Sequence, residues 1–183
     1  DVTVRASGAG RPGAWKTGVT MADVNGDGKT DIFLCYSGKI RGSKRLPQLF
    51  INLGNDKQGI PQFKDEAAEY GLTDSAYSTQ AYFFDYDKDG DLDLLLLNHN
   101  PKRISNLNEA SIHSLINQED KQAGIRLFRN DNNHFVDVTN GSGLLNSTLN
   151  YNLSAGIADI NNDVWSDIYV SNDYLVPDYL YSN

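Results

Sequence analysis

Short strand-like apolar runs, bounded by polar turn residues, recur along this chain in a fixed order. "TGVTMAD", "TQAYFFD" and "LSAGIAD" each end on an aspartate, at Asp23, Asp85 and Asp159. Nine-residue acidic segments follow, and then second runs, "DIFLCY", "DLLLLN" and "DIYVSN". The three first aspartates are 62 and 74 residues apart, and an aromatic stands eight residues before each: Trp15, Tyr77 and Tyr151. "LFIN" (49–52), "LFRN" (127–130) and "LYSN" (180–183) repeat as third strands. "FKDEAAEYGL" (63–72) and "FVDVTNGSGL" (135–144) repeat as fourth strands, with "DVTVRASGAG" at the start as the tail of another. Each unit therefore reads as four antiparallel strands whose first hairpin is closed by an acidic loop.

Four-stranded units at this spacing predict an all-β chain of β-propeller blades, about three blade-equivalents of a larger propeller. Helical periodicity, which a helical solenoid would show in every unit, is absent. The predicted division is an end strand of a preceding blade (1–10), a blade (11–72), a blade carrying an insertion (73–144, insertion 98–124) and an incomplete blade (145–183). Closed rings take four to eight blades, so the pattern predicts a segment of a longer propeller. Association of copies is the alternative, since an open blade exposes strand edges. In the insertion, Asn106 followed by Glu109, Ile112, Leu115 and Ile116 predicts a capped amphipathic helix of about three turns, packed on a blade rim or serving recognition.

Charge enters next because it is unevenly placed. The chain of 183 residues carries −8 net, and 24 acidic side chains face 16 basic ones. This balance disfavours nucleic acid and anionic membrane as partners. Eleven of the acids lie in 23–31, 85–93 and 159–167. Cys35, inside an apolar run, reads as a small core residue. No apolar run approaches the ~20 residues that span a bilayer. No signal peptide is visible, although Asp1 can equally be the first residue of a processed chain.

Numbered from the first aspartate, the loops place Asp23, Asn25, Asp27, Gly28 and Asp31 at positions one, three, five, six and nine. The second places Asp85, Asp87, Asp89, Gly90 and Asp93 there, and the third Asp159, Asn161, Asp163, Val164 and Asp167. Oxygen side chains at one, three and five with glycine at six are how a chain curls round a hard cation, and calcium takes six to eight oxygens. An EF-hand would end on a glutamate at twelve, but Leu34, Leu96 and Val170 stand there. The aspartate at nine can close the shell instead, with the position-seven carbonyl of Lys29, Asp91 or Trp165 as a further ligand. Magnesium retains water and rarely accepts an all-protein cage, and zinc would want His or Cys. Ordinary turn chemistry also uses Asp, Asn and Gly, but three equivalent loops argue against coincidence. Each ion would tie a first strand to a second, which is a scaffolding role.

The D-x-[DN]-x-D-G-x-x-D loops at blade spacing, with their "F-x-D" and "L-[FY]-x-N" strands, resemble the FG-GAP/VCBS repeat family. They are similar to bacterial secreted proteins of the cartilage acidic protein group and to integrin α-subunit heads. The resemblance covers nearly all of the chain outside 98–124 and implies a calcium-binding propeller of about seven or eight blades, extracellular, on a cell surface or in the periplasm. Carried over by position, it implies Asp23, Asn25, Asp27, Lys29 and Asp31 as one ligand set and Asp85, Asp87, Asp89, Asp91 and Asp93 as the next. Asp159, Asn161, Asp163, Trp165 and Asp167 form the third. Val164 departs from the pattern where glycine is expected.

Two classes of function follow. The first is a non-catalytic binding, adhesion or complex-forming module, with a protein or carbohydrate ligand at a propeller face and further blades of the parent chain as its neighbours. The alternative is part of a calcium-dependent carbohydrate-active enzyme, a lyase or hydrolase, which needs a base and acids converging in a cleft. No H-E-x-x-H, G-x-S-x-G or P-loop pattern is present, and His99, His113 and His134 stand in unrelated contexts, so no catalytic residue is predicted. Trp15, Tyr77 and Tyr151 are the candidates for a ligand surface, with packing between blades as the plainer role.

Overall fold

The computed structural model describes residues 6, 12–102, 108–173 and 176–183. Among these residues, eleven strands form three antiparallel sheets. The first sheet is β1 (Trp15–Ala22), β2 (Asp31–Ser37), β3 (Gln48–Asn55) and β4 (Pro61–Asp65), in that spatial order. The second is β5 (Ser78–Phe84), β6 (Asp93–Asn98), β7 (Arg126–Asn130) and β8 (Phe135–Asp137). The third holds β9 (Asn152–Ala158), β10 (Asp167–Asn172) and β11 (Tyr179–Tyr181). The predicted four-strand meanders and the acidic hairpin between the first two strands of each are therefore present. The end strand expected at 1–10 lies outside the described residues, except Ala6, which is buried.

The sheets stack through their first strands. Thr17 Oγ1 donates to the Ser78 carbonyl, 2.6 Å away, and Thr79 Oγ1 donates to the Asn152 carbonyl at 3.1 Å. Side chains alternate along a strand, and β6 uses both faces of that alternation. Leu94 and Leu96 join a core with Phe33, Cys35, Leu49 and Ile51 of the first sheet. Leu95 and Leu97 join another with Ile168 and Val170 of the third. All four leucines are buried, each contributing roughly 1.5–3 kcal/mol of apolar burial. The run of four leucines is thus two half-cores interleaved on one strand. Cys35 is a core residue, as expected.

The insertion does contain a helix, α1 (Glu109–Ile116), but its eight residues make about two turns instead of three. Its N-cap is Asn108, whose side chain accepts from the Ser111 backbone while Ser111 Oγ accepts from the Asn108 N–H. Asn106, the expected cap, lies outside the described residues. The reciprocal Asn–Ser pair satisfies two helix-end donors as a Ser–Glu box would, so a short side chain at the third helical position did the work the sequence assigned to Glu109. The helix is held to the third unit where Ser147 Oγ donates to the Leu115 carbonyl at 3.1 Å.

Candidate metal centre

Each acidic loop is wound by its own aspartates. In the first, Asp23 accepts from the backbone N–H of Asp27 (3.0 Å) and Gly28 (2.8 Å), Asn25 Oδ1 accepts from Asp27 (3.1 Å), and Asp27 accepts from Lys29 (2.9 Å). The third loop repeats these bonds through Asp159, Asn161 and Asp163 at 2.8–3.1 Å. In the second they are longer: 3.4 Å from the Asp89 N–H to Asp87, 3.2 Å from Gly90 to Asp85 and 3.1 Å from Asp91 to Asp89.

The winding requires left-handed backbone at two positions. At position six, φ is +82° for Gly28, +98° for Gly90 and +76° for Val164. A β-branched residue there is strained by roughly 1–2 kcal/mol. Position four is left-handed as well, at Gly26 (+69°), Lys88 (+63°) and Asn162 (+62°). That requirement escaped sequence reading; glycine and asparagine at two of the three positions signal it, while Lys88 hides it.

Position nine has a second task. Asp31, Asp93 and Asp167 are all buried. Asp93 Oδ2 accepts from the Tyr86 N–H at 2.9 Å, and its Oδ1 accepts from the Asn130 N–H at 2.9 Å. Asp31 takes Val24 (3.1 Å) and Asn52 (2.8 Å) in the same way, and Asp167 takes Ile160 (2.9 Å) and Asn183 (3.2 Å). One carboxylate thereby joins the loop to the third strand of its sheet. The partners Asn52, Asn130 and Asn183 are the last letters of "LFIN", "LFRN" and "LYSN", a recurrence whose purpose sequence reading left unassigned. A carboxylate oxygen that accepts one N–H keeps a lone pair, so these aspartates remain able to ligate.

Charge is left uncompensated in the second loop. Carboxylate oxygens of Asp85, Asp87 and Asp89 lie within 4.8 Å of one another. Oxygens on a calcium shell of radius ~2.3–2.6 Å are at most about 5 Å apart, so the spacing fits. Asp85 Oδ1 and Asp91 Oδ1 are buried and accept no hydrogen bond. Burial, with the carboxylates of Asp89, Asp87 and Asp85 nearby, pushes the Asp91 carboxyl up to about 6. Burial likewise pushes Asp93 up to about 6, against the N–H bonds from Asn130 and Tyr86. Folding thus disfavours the anionic forms here, and a cation reverses that sign. The donor set, all oxygen, could hold a hard metal ion.

In the first loop a lysine partly serves: Lys29 Nζ sits 2.8 Å from Asp27 and holds that carboxyl below its usual range. In the third loop the N–H of Ile160 does the same for Asp167. Neighbouring loops also touch, since Lys88 Nζ lies 4.1 Å from the centre of the Trp165 ring.

The three recurrent aromatics separate. Tyr151 is buried and meets His99 edge-on with ring centres 5.2 Å apart. Tyr77 is half-buried beneath the Arg45 guanidinium, 4.1 Å from its ring centre. Trp15 alone is open, at 66% exposure. His113 is exposed on α1, and His134 lies beside Gly71, far along the chain from His99. No helix among the described residues is long and apolar enough to cross a membrane.

Comparison with known proteins agrees with this geometry. No curated protein matches the chain significantly. Residues 23–96, from the first aspartate of the first loop to the third leucine of β6, match the model of the FG-GAP-like repeat. Residues 23–96 therefore carry an FG-GAP-like repeat, and the two acidic hairpins within that span, each set in a four-stranded antiparallel sheet, are of that kind.

Proposed function

We propose that this chain is a calcium-stabilised, propeller-type binding module that works outside the cytoplasm and does no catalysis itself. The observation that carries the reading is the second loop, where three convergent carboxylates and two buried, unpartnered oxygens await a positive charge. Calcium suits an all-oxygen set of this size better than magnesium, which keeps its water, or zinc, which prefers nitrogen and sulfur. The ligands are the residues at positions one, three, five and nine, joined by the carbonyl at seven. Extracellular fluid holds calcium at the concentrations such modest sites require.

The ion's role is structural, fastening each acidic hairpin, and binding falls to surfaces the sheets display. Further blades of the same kind, in the parent chain, would cover the outer faces of the first and third sheets. The test is thermal unfolding after thorough chelation, then with calcium or magnesium restored. A ligand that binds only the folded state at about 100 times its Kd adds about 2.7 kcal/mol, so calcium should raise the melting temperature by several degrees and magnesium by little. An unchanged melt, with no metal detected by elemental analysis, overturns the proposal.

A further inference from the structure

At the end of the strands remote from the acidic loops, a groove of about 430 Å³ opens between the first two sheets. Strand length alone puts roughly 20–25 Å between it and the first loop. Its platform is Trp15. The ring rests on Gly38, where φ is +92° and an added Cβ would stand 2.7 Å from Trp15 Cε3. Only glycine allows that seat, so the indole packs against backbone while 66% of the residue stays open.

Besides the Ser37 hydroxyl, the polar side chains around this platform are of two kinds. Thr17 and Thr79 have committed their hydroxyl protons to the carbonyls of Ser78, Leu97 and Asn152. Towards the groove they can only accept, and so they suit a ligand's hydroxyl donors. Among the described residues, Lys39 and His99 are the ionisable side chains of the lining, and no carboxylate joins them. In a chain of net charge −8, a groove whose described lining offers a lysine and no carboxylate favours an anion.

We propose that this groove binds an acidic saccharide. The apolar face of one ring stacks on Trp15, its hydroxyls donate to Thr17 and Thr79, and its anionic group meets Lys39, with His99 donating beside it. The volume lies within the range of small-ligand pockets. An acidic peptide would match the charge but would bring neither the flat ring face nor the array of hydroxyl donors. The inference rests on reading the chain as a binding module and names its ligand class; it is independent of the metal loops.

The experiment is calorimetric titration, with calcium present throughout, of a hyaluronan hexasaccharide, cellohexaose of equal length and a hexaglutamate peptide. Hyaluronan should bind at least about tenfold more tightly than cellohexaose, and Trp15→Ala and Lys39→Glu should each weaken it about tenfold or more. Trp15→Ala removes an exposed ring, and Lys39→Glu changes an exposed charge, so both variants should retain the melting temperature. Hyaluronan affinity untouched by both variants overturns the assignment. So does equal affinity for cellohexaose, preferential binding of hexaglutamate, or no binding of hyaluronan at millimolar concentration. If hyaluronan fails while calcium still raises the melting temperature, the saccharide class is lost and the calcium-stabilised scaffold stands.

Discussion

Asn130 donates from its side-chain amide to the backbone carbonyl of Val24, 3.3 Å away and 106 residues earlier in the chain. One unit later Asn183 donates to the carbonyl of Tyr86 at 3.0 Å. Val24 and Tyr86 both occupy position two of their loops, so in the second and third units the asparagine at the end of the third strand clasps the acidic loop of the sheet before it. Asn130 also donates to the Leu92 carbonyl and accepts from the Asn133 N–H, and it is 1% exposed. Asn130→Ala leaves these buried groups unpaired and should cost about 2–4 kcal/mol. Asn52→Ala, at a half-buried position, should cost about 1 kcal/mol. Urea denaturation of both variants checks the ranking, and equal costs would show that the clasp between sheets contributes nothing.

Val164 tests the winding of the third loop. Its φ of +76° and 73% exposure mean that the side chain gains little packing while straining the turn. Val164→Gly should relieve roughly 1 kcal/mol of strain, offset in part by the greater freedom of glycine in the unfolded chain. Calcium at that loop should tighten by up to about tenfold, leaving the other two loops unchanged. Site-resolved titration of both forms decides it; a site that does not tighten rejects strain as the handicap of this loop.

Lys29 competes with any ion for Asp27, 2.8 Å from its ammonium. The second loop has an aspartate at position three and no such lysine at position seven, so it should fill at lower calcium than the first. Lys29→Met should tighten the first site about three- to tenfold by returning Asp27 to the ion. Calcium titration followed by the amide shifts of Gly28 and Gly90 reads the two loops separately. An affinity for the first loop that falls on substitution contradicts the competition.

Arg126 is 5% exposed and reaches Asp74 at 2.6 Å, Asp137 and the Lys121 carbonyl. Its guanidinium ties the segment before β5 to β8 across the second sheet. Arg126→Ala leaves two partly solvated carboxylates without their partner and should cost about 1.5–3 kcal/mol. Arg126→Lys should recover only part of that, because one ammonium lacks the planar fork. Chemical denaturation of the pair of variants measures both; full recovery by lysine would mean that charge alone mattered.

Much of this architecture was readable beforehand because its signals are local. Aspartate spacing within nine residues and apolar runs of six or seven name a hairpin without knowledge of the rest. The clasp from Asn130 to Val24 could not be read so, because its two ends belong to different repeats and one of them is a carbonyl that every residue possesses. Backbone handedness at Lys88 was hidden for the opposite reason: the winding of the loop overrides the residue's own preference. Trp15, Tyr77 and Tyr151 share a register but not a role. Burial at each depends on what the neighbouring loops supply: Gly38 beneath the first, Arg45 over the second, His99 against the third.

The leucines of β6 carry a consequence for strand register. A strand with one wet face is locked in place, since a slip of one residue would turn its apolar side to water. Leu94 to Leu97 offer no such lock, because a slipped strand would merely exchange leucines between two equally dry interiors. Alignment must then come from the polar residues at the two ends. Asp93, gripping the N–H groups of Tyr86 and Asn130, and Asn98, donating to the Gly124 carbonyl at 2.6 Å, are both 0% exposed. Either one, displaced by a single residue, would lose its partners inside the protein. The acidic hairpin thus acts as the index mark of the central strand, and a cation seated there would tell the leucines where to stop.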